Sequence, residues 1–288
     1  MKALIDCDIL VYECAFAGEY KDEDTGERIP RDFETVKEVF EQRLHEIEDA
    51  VWANEESLLF LTGDERLLRL ENRERKRAGL EPLVFRPNFR YDIAVSKGYK
   101  DRKSNKPYHF HNLRSHIRHN YPCHIAWGME ADDALAIHQT RRLAELDTVI
   151  CSRDKDLRMV PGMQYGWECA NQPSFGPKRV EEIGELELDG NKLRGEGLKF
   201  FYAQLITGDT VDTIPGLPRG GPALAFKTLS HLDTEEEMYE AVAALYEAKK
   251  GEEWETYLQE QANLLWMVRE TDEEGKPILF VPPTKRES

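Results

Sequence analysis

No apolar run in this chain reaches the roughly 18 residues of a membrane-crossing helix, which excludes such a span. The chain starts on a strand-like KALID instead of a charged segment followed by an apolar stretch, so no secretory leader is read and a cytoplasmic location is expected. Cysteine is scarce. Five residues, an odd number with no CxxC pair, give neither a disulfide framework nor a cysteine zinc site and fit a reducing compartment. The GK[ST] ending of a Walker loop is absent, and no internal repeat is present. What the chain has is charge: 55 Asp and Glu against 39 Lys and Arg, a net of −16, which by itself argues against a nucleic-acid partner. With 40% hydrophobic residues in 288, it can bury a sizeable core, in one large domain or one domain with a smaller appendage.

The distribution of charge reverses that first impression. Between Arg66 and His119 there are 15 Lys and Arg and only 5 Asp and Glu, a local net of +10. A basic segment in an acidic chain is a localised electrostatic footprint, and phosphate backbones are its commonest target.

Four short apolar runs each stop at acids: KALID at Asp6, SLLFLTGD at Asp64, CHIAWGMEADD at Glu130, Asp132 and Asp133, and TVICSRDKD at Asp154 and Asp156. As strands of one parallel sheet they would bring these carboxylates to the carboxyl edge, where open α/β sheets bind ligands. Two like charges about 4 Å apart repel by roughly 4 kcal/mol at an effective dielectric near 20, so the cluster requires positive compensation. An Asp/Glu set without His or Cys favours Mg²⁺ or Mn²⁺. The alternative for the acids of GMEADD is stabilisation of a helix N-terminus, about 0.3–1 kcal/mol each, which explains one or two of them better than three.

Periodicity fills in the rest. Strands are expected at 2–6, 58–61, 124–127 and 148–151, with Cys7 and Cys151 as small buried residues of strand-like runs. A polar turn-like stretch from Gly18 to Arg31 precedes a helix carrying Val36, Val39, Phe40, Leu44, Ile47 and Val51. The roughly 60-residue polar excursion between the second and third strands is too long for an ordinary connection and reads as an inserted element, helical at 66–77 and 108–119. Beyond Leu198 the chain reads as helical, including 235–248 and 252–268, interrupted by TGDTVDTIPGLPRGGP with Asp209 and Asp212 three apart. The helix start near Pro222 offers unpaired backbone donors suited to a phosphate. His109, His111, His116, His119 and His124 do not make a closed zinc set, and no metal role is assigned to them.

In this order the phrases LIDCD, TGDERLLR, GYKDRK, GMEADD, SRDKDL and GDTVDTIPGLPRGGPALA resemble the 5′-to-3′ exonuclease and flap endonuclease superfamily, over Ala3 to about Leu229. The compact size is most like the stand-alone bacteriophage and bacterial enzymes. The resemblance implies an α/β, PIN-like nuclease core at 1–195, a basic arch inserted at 66–119, and a helical duplex-binding region at 196–288 with a helix-hairpin-helix-type motif. It implies a first metal site of Asp6, Asp64, Glu130, Asp132 and Asp133 and a second of Asp154, Asp156, Asp209 and Asp212, holding two divalent cations, Mg²⁺ or Mn²⁺, with Asp8 as an extra candidate. Lys100 and Arg102 take the place of the family's catalytic basic residues. Arg66, Arg69, Lys97, Lys103, Gly216, Gly220 and Gly221 are the expected substrate contacts, with K⁺ at the hairpin. The implied partner is DNA with 5′ ends, flaps or nicks, or RNA–DNA hybrids, met by a monomer with no membrane association. Two features depart from the family pattern: Ala223 stands where a lysine is usual, and YKDRK replaces YKxNR. A PIN-like endoribonuclease and a non-enzymatic nucleic-acid binder stay open as alternatives.

Overall fold

The computed structural model describes residues 1–100, 105–170 and 172–286. In chain order the first half contains β1 (Lys2–Asp6), α1 (Cys7–Ala17), β2 (Glu19–Lys21), β3 (Arg28–Pro30), α2 (Phe33–Ala50), β4 (Leu58–Thr62), α3 (Glu65–Arg77), α4 (Arg90–Ile93), α5 (Phe110–Asn120), β5 (Cys123–Ala126) and α6 (Ala131–Arg141). There follow β6 (Thr148–Cys151), β7 (Gly162–Gly166), β8 (Phe175–Val180), β9 (Leu186–Asp189), β10 (Lys192–Gly195), α7 (Gly197–Thr207), α8 (Pro222–Leu229), α9 (Glu235–Lys250) and α10 (Trp254–Leu265).

The central sheet runs β5-β4-β1-β6-β7-β8, parallel except for β8. β1 is apolar on both faces, as a strand covered from both sides requires. Ala3 and Ile5 face one apolar cluster, with Val36, Phe40 and Phe110; Leu4 faces the other, with Leu135, Phe201 and Tyr202. Helices thus cover each side, and each fully buried Leu, Ile or Phe contributes roughly 1.5–3 kcal/mol. The second cluster extends from β1 through α6 and α7 to Tyr246, Leu258 and Phe280, so the apolar core is continuous across residues 195 and 196.

The expected strands and the helices in the basic segment form, and the class is α/β with a mainly parallel sheet. Three local readings are corrected. Cys7 begins a helix, because Asp6 accepts the backbone N–H groups of Asp8 and Ile9 and caps α1. The stretch 18–31 contains the β2–β3 hairpin. Residues 162–195 supply four strands that no apolar run signalled, since β8 to β10 are largely solvent-facing and polar.

Behind the sheet, the ring of His138 lies edge-on to His124 at 5.2 Å and to Phe60 at 5.0 Å. Burial, then the neighbouring His124, pushes the His138 pKa down from 6.5 to about 4. The folded state therefore binds fewer protons than the unfolded chain between these values, and the stability contribution is full above pH 6.5 and lost as pH falls through about 4. The urea midpoint should drop between pH 7 and 4.5, and by less in His138→Gln. Equal drops in the two proteins would count against this assignment.

A candidate metal centre at the sheet edge

β1 is the switch point of the sheet: the chain leaves it toward β4 on one side and β6 on the other. A crevice forms at such a point outside the carboxyl ends of the strands. Asp6 ends β1, Asp64 follows β4, Glu130 and Asp132 follow β5, and Asp154 and Asp156 follow β6. Several of these acids also cap helices. Asp64 accepts the N–H groups of Arg66 and Leu67 at the start of α3, and Glu130 caps α6 in a capping box with Asp133. A cleft of about 20 Å³, room for about one water, is lined by Tyr99, Lys100, Glu130, Asp132, Asp154, Asp156 and Asp212, with Arg90 beneath.

Protein cations already neutralise part of the set. Lys100 Nζ donates to Glu130 Oε1 at 2.6 Å and lies 3.7 Å from Asp212. Lys155 Nζ donates to Asp156 at 2.7 Å and to Asp209 at 2.5 Å. Burial opposes ionisation of Glu130, but Lys100 and Arg90 outweigh it and hold its carboxyl below the usual range. Asp209 behaves likewise, with burial overcome by Lys155 and by the N–H groups of Val211 and Asp212. Asp212 goes the other way, raised by burial and then by Glu130 against the opposing pull of Lys100. Lys100 itself adopts a left-handed backbone, φ 48°, uncommon for a side chain of this kind.

Three carboxylates have no cationic partner among the described residues: Asp6, Asp132 and Asp154. Burial, then Asp8, pushes Asp6 up to about 6, against the hydrogen bond from Ser152 Oγ at 2.7 Å. Burial, then Asp156, pushes Asp154 up to about 7. Asp132 is raised as well, by burial and then by Asp6 and Asp154, against the opposing pull of Lys100. Oxygen-only donors lacking counter-charge suit a hard divalent cation, so the donor chemistry fits. Among the described residues, no three His, Cys, Asp or Glu side chains stand together as a preformed metal site. Mutual repulsion of roughly 4 kcal/mol per pair at 4 Å opposes such convergence until a cation is present.

Asp133 is corrected. It is fully buried and does not line the cleft, with both oxygens occupied: Arg90 donates to them at 2.6 and 2.8 Å, and the N–H groups of Glu130 and Val268 add two more bonds. Arg90, unnoticed in the sequence, also donates to the carbonyls of Leu264 and Trp266, joining α4, α6 and the end of α10. Asp64 also stands apart. Its second oxygen lies 3.8 Å from both Arg114 and His111. Arg114 pairs with Asp8 at 3.0 Å, and Asp8 accepts the N–H of Thr62, tying α5 to α1 and β4. The Asp8 and Asp133 neighbours could have been suspected only as acids in excess of what a metal needs.

The expected substrate contacts divide in the same way. Gly216 donates its N–H to Gln261, and its φ of 65° places a would-be Cβ 2.3 Å from the Gly208 nitrogen. At Gly220 a Cβ would meet the Ile206 carbonyl oxygen at 1.9 Å. These two glycines are required by close backbone packing, and the Gly216 N–H is already bonded to Gln261 and the Gly220 N–H to the Leu217 carbonyl. Gly221 is open on its surroundings and caps α8 without a side-chain bond. Arg66, Arg69 and Lys97 are exposed, and no described carboxylate pairs with them; Arg66 reaches only Asn112. Arg102 and Lys103 lie outside the described residues.

No family model matches the chain. A DNA polymerase I of Rhizobium leguminosarum is 29% identical over 136 residues, covering 46% of this chain and 12% of that protein. The chain thus spans about an eighth of the curated relative it matches. Among solved structures, a bacteriophage T5 flap endonuclease in complex with DNA and metal ions covers 92% of this chain and 99% of its own, at 10% identity and a TM-score of 0.45. A T5 5′-exonuclease structure with zinc covers the same 92%, and 99% of its own chain, at 11% identity and a TM-score of 0.45.

Proposed function

We propose that this chain is a metal-dependent nuclease that hydrolyses phosphodiester bonds of DNA from 5′ ends or at 5′ flaps. The observation that carries the reading is the placement of Asp6, Asp132 and Asp154 at the carboxyl edge of a parallel sheet, without an ion pair among the described residues, in a chain with a segment of net charge +10. A non-enzymatic binder gains nothing from carboxylates that repel phosphate. Under this reading Asp6, Asp132 and Asp154 hold one divalent cation, Mg²⁺ or Mn²⁺, and Asp156, Asp209 and Asp212 hold a second once Lys155 and Lys100 give way, with Glu130 alongside. Such cations supply an activated water and charge stabilisation at the phosphoryl oxygens.

The chain's own residues do the rest. Lys100, once it gives way from Glu130 and Asp212, turns its positive charge to the mouth of the cleft, where a scissile phosphate would gain charge. Arg66, Arg69 and Lys97 steer a free strand, and the start of α8 at Gly221 receives duplex phosphate at its unpaired N–H groups. The turn 208–221 is also the place for K⁺. Residues 1–195 form the nuclease unit, with 66–119 as its arch, and 196–288 the duplex-binding unit. The protein acts as a monomer in the cytoplasm, on DNA ends, flaps or nicks and on RNA–DNA hybrids, in replication or repair.

A time course on 5′- and 3′-labelled branched and linear duplexes with Mg²⁺ tests this. Short 5′-terminal fragments should be released, leaving a 5′-phosphate on the shortened strand, and EDTA should stop the reaction. Degradation from 3′ ends, or equal cutting of unstructured single-stranded RNA, would defeat the proposal and favour an endoribonuclease. Neutralising Arg69 and Lys97 should flatten the plot of log affinity against log salt by roughly 0.7 per lost single-strand contact.

A further inference from the structure

We propose that Tyr91 is a base-stacking platform for the single strand that approaches the acidic cleft. The inference rests on the nuclease reading and adds a residue that none of the motifs singles out. Tyr91 lies in α4 and is 55% exposed, although the residue before it is among the best-anchored in the molecule. Arg90 is 3% exposed, and its side chain makes four hydrogen bonds, to Asp133, Leu264 and Trp266, so the backbone that presents Tyr91 is held from below.

The ring is held from the side as well. Tyr91 meets Tyr99 edge-to-face, with centroids 5.7 Å apart and planes at 75°. Tyr99 is only 4% exposed, and its hydroxyl lies 3.0 Å from Glu130 and 3.1 Å from Asp212. Tyr91 is therefore one ring away from the carboxylates of the cleft. Its own hydroxyl has no hydrogen-bond partner among the described residues, so the ring is neither core packing nor a polar tether.

The surface around it has the composition that binds an unpaired strand. Val95 is 85% exposed, Lys97 is exposed and without an ion pair among the described residues, and Lys100 stands at the cleft. Two acids oppose phosphate there: Asp92, exposed on α4, and Glu260, whose carboxylate accepts the N–H groups of Val95 and Ser96 at 2.8 and 2.7 Å. Cations that follow the backbone, combined with an exposed aromatic on which a base can lie, make up sequence-tolerant recognition of single strands. A protein partner would be served equally well by Val95 and Tyr91 but gives no reason for Lys100 at the acidic cleft or for the nearby exposed Lys97.

The test measures binding by fluorescence anisotropy, with Ca²⁺ in place of Mg²⁺, on a duplex bearing an eight-nucleotide 5′ tail. Tyr91→Ala should weaken binding by about five- to 100-fold, while Tyr91→Phe, which keeps the ring, should bind as the wild type does. Abasic substitutions placed singly along the tail should cost the wild type a similar factor at one or two positions, and cost Tyr91→Ala nothing there. An unchanged affinity in Tyr91→Ala, or an abasic profile identical in the two proteins, would overturn the proposal while leaving the nuclease reading intact. Failure of the wild type to bind any tailed duplex would remove both. Equal melting temperatures of the three proteins separate lost stacking from lost folding.

Discussion

Asp133→Ala should destabilise the protein by roughly 3–5 kcal/mol, because it leaves the Arg90 guanidinium charged, buried and without its carboxylate. For a chain of this size that corresponds to a fall in Tm on the order of 10 °C. The double variant Arg90→Met with Asp133→Leu should recover much of the loss, since replacing both partners by apolar residues removes the unpaired charge. Thermal unfolding of the single and double variants decides it. A single variant within about 1 kcal/mol of the wild type would mean that Arg90 finds another partner, and that the motif acid is not structural.

Asp132→Asn is expected to behave in the opposite manner: cleavage with Mg²⁺ falls by more than about a hundredfold, the loss expected of a side chain that holds the metal rather than one that supports it. The fold should not suffer. Asp132 is raised by burial and by the charges of Asp6 and Asp154, so removing its charge relieves repulsion, and Tm without divalent cation should stay level or rise. Wild-type Tm should increase on adding Mn²⁺, through preferential binding to the folded state, and the variant should lose most of that increase. Cleavage within tenfold of wild type, or an undiminished Mn²⁺ effect, would sink the assignment of Asp132 to the cation. The pair of variants separates two acids that are neighbours in sequence and opposite in role.

That contrast shows how far the sequence could be read. Strand positions at 2–6, 58–62 and 148–151 were legible because strands buried on both faces must be continuously apolar, and their acid endings stood out against that background. The helix 33–50 was legible because its apolar residues recur at helical spacing. The strands at 175–195 were not, since a solvent-facing ribbon has no such constraint on its composition. Helix α1 was missed for a similar reason: it is apolar nearly all round, so it shows no period to distinguish it from a buried strand.

The sequence by itself determined that carboxylates gather at one edge of a parallel sheet and that a basic segment is inserted beside them, since both follow from the order of apolar runs and charges along the chain. Only the tertiary structure decided which carboxylate keeps its charge free. Arg90 reaches Asp133 across 43 positions, Lys155 reaches Asp209 across 54, and Arg114 reaches Asp8 across 106, pairings that no local pattern encodes. Coulomb energy depends on distance in space and on local burial, so two adjacent aspartates become a buried anchor paired with Arg90 at Asp133 and, at Asp132, a carboxylate without an ion pair among the described residues.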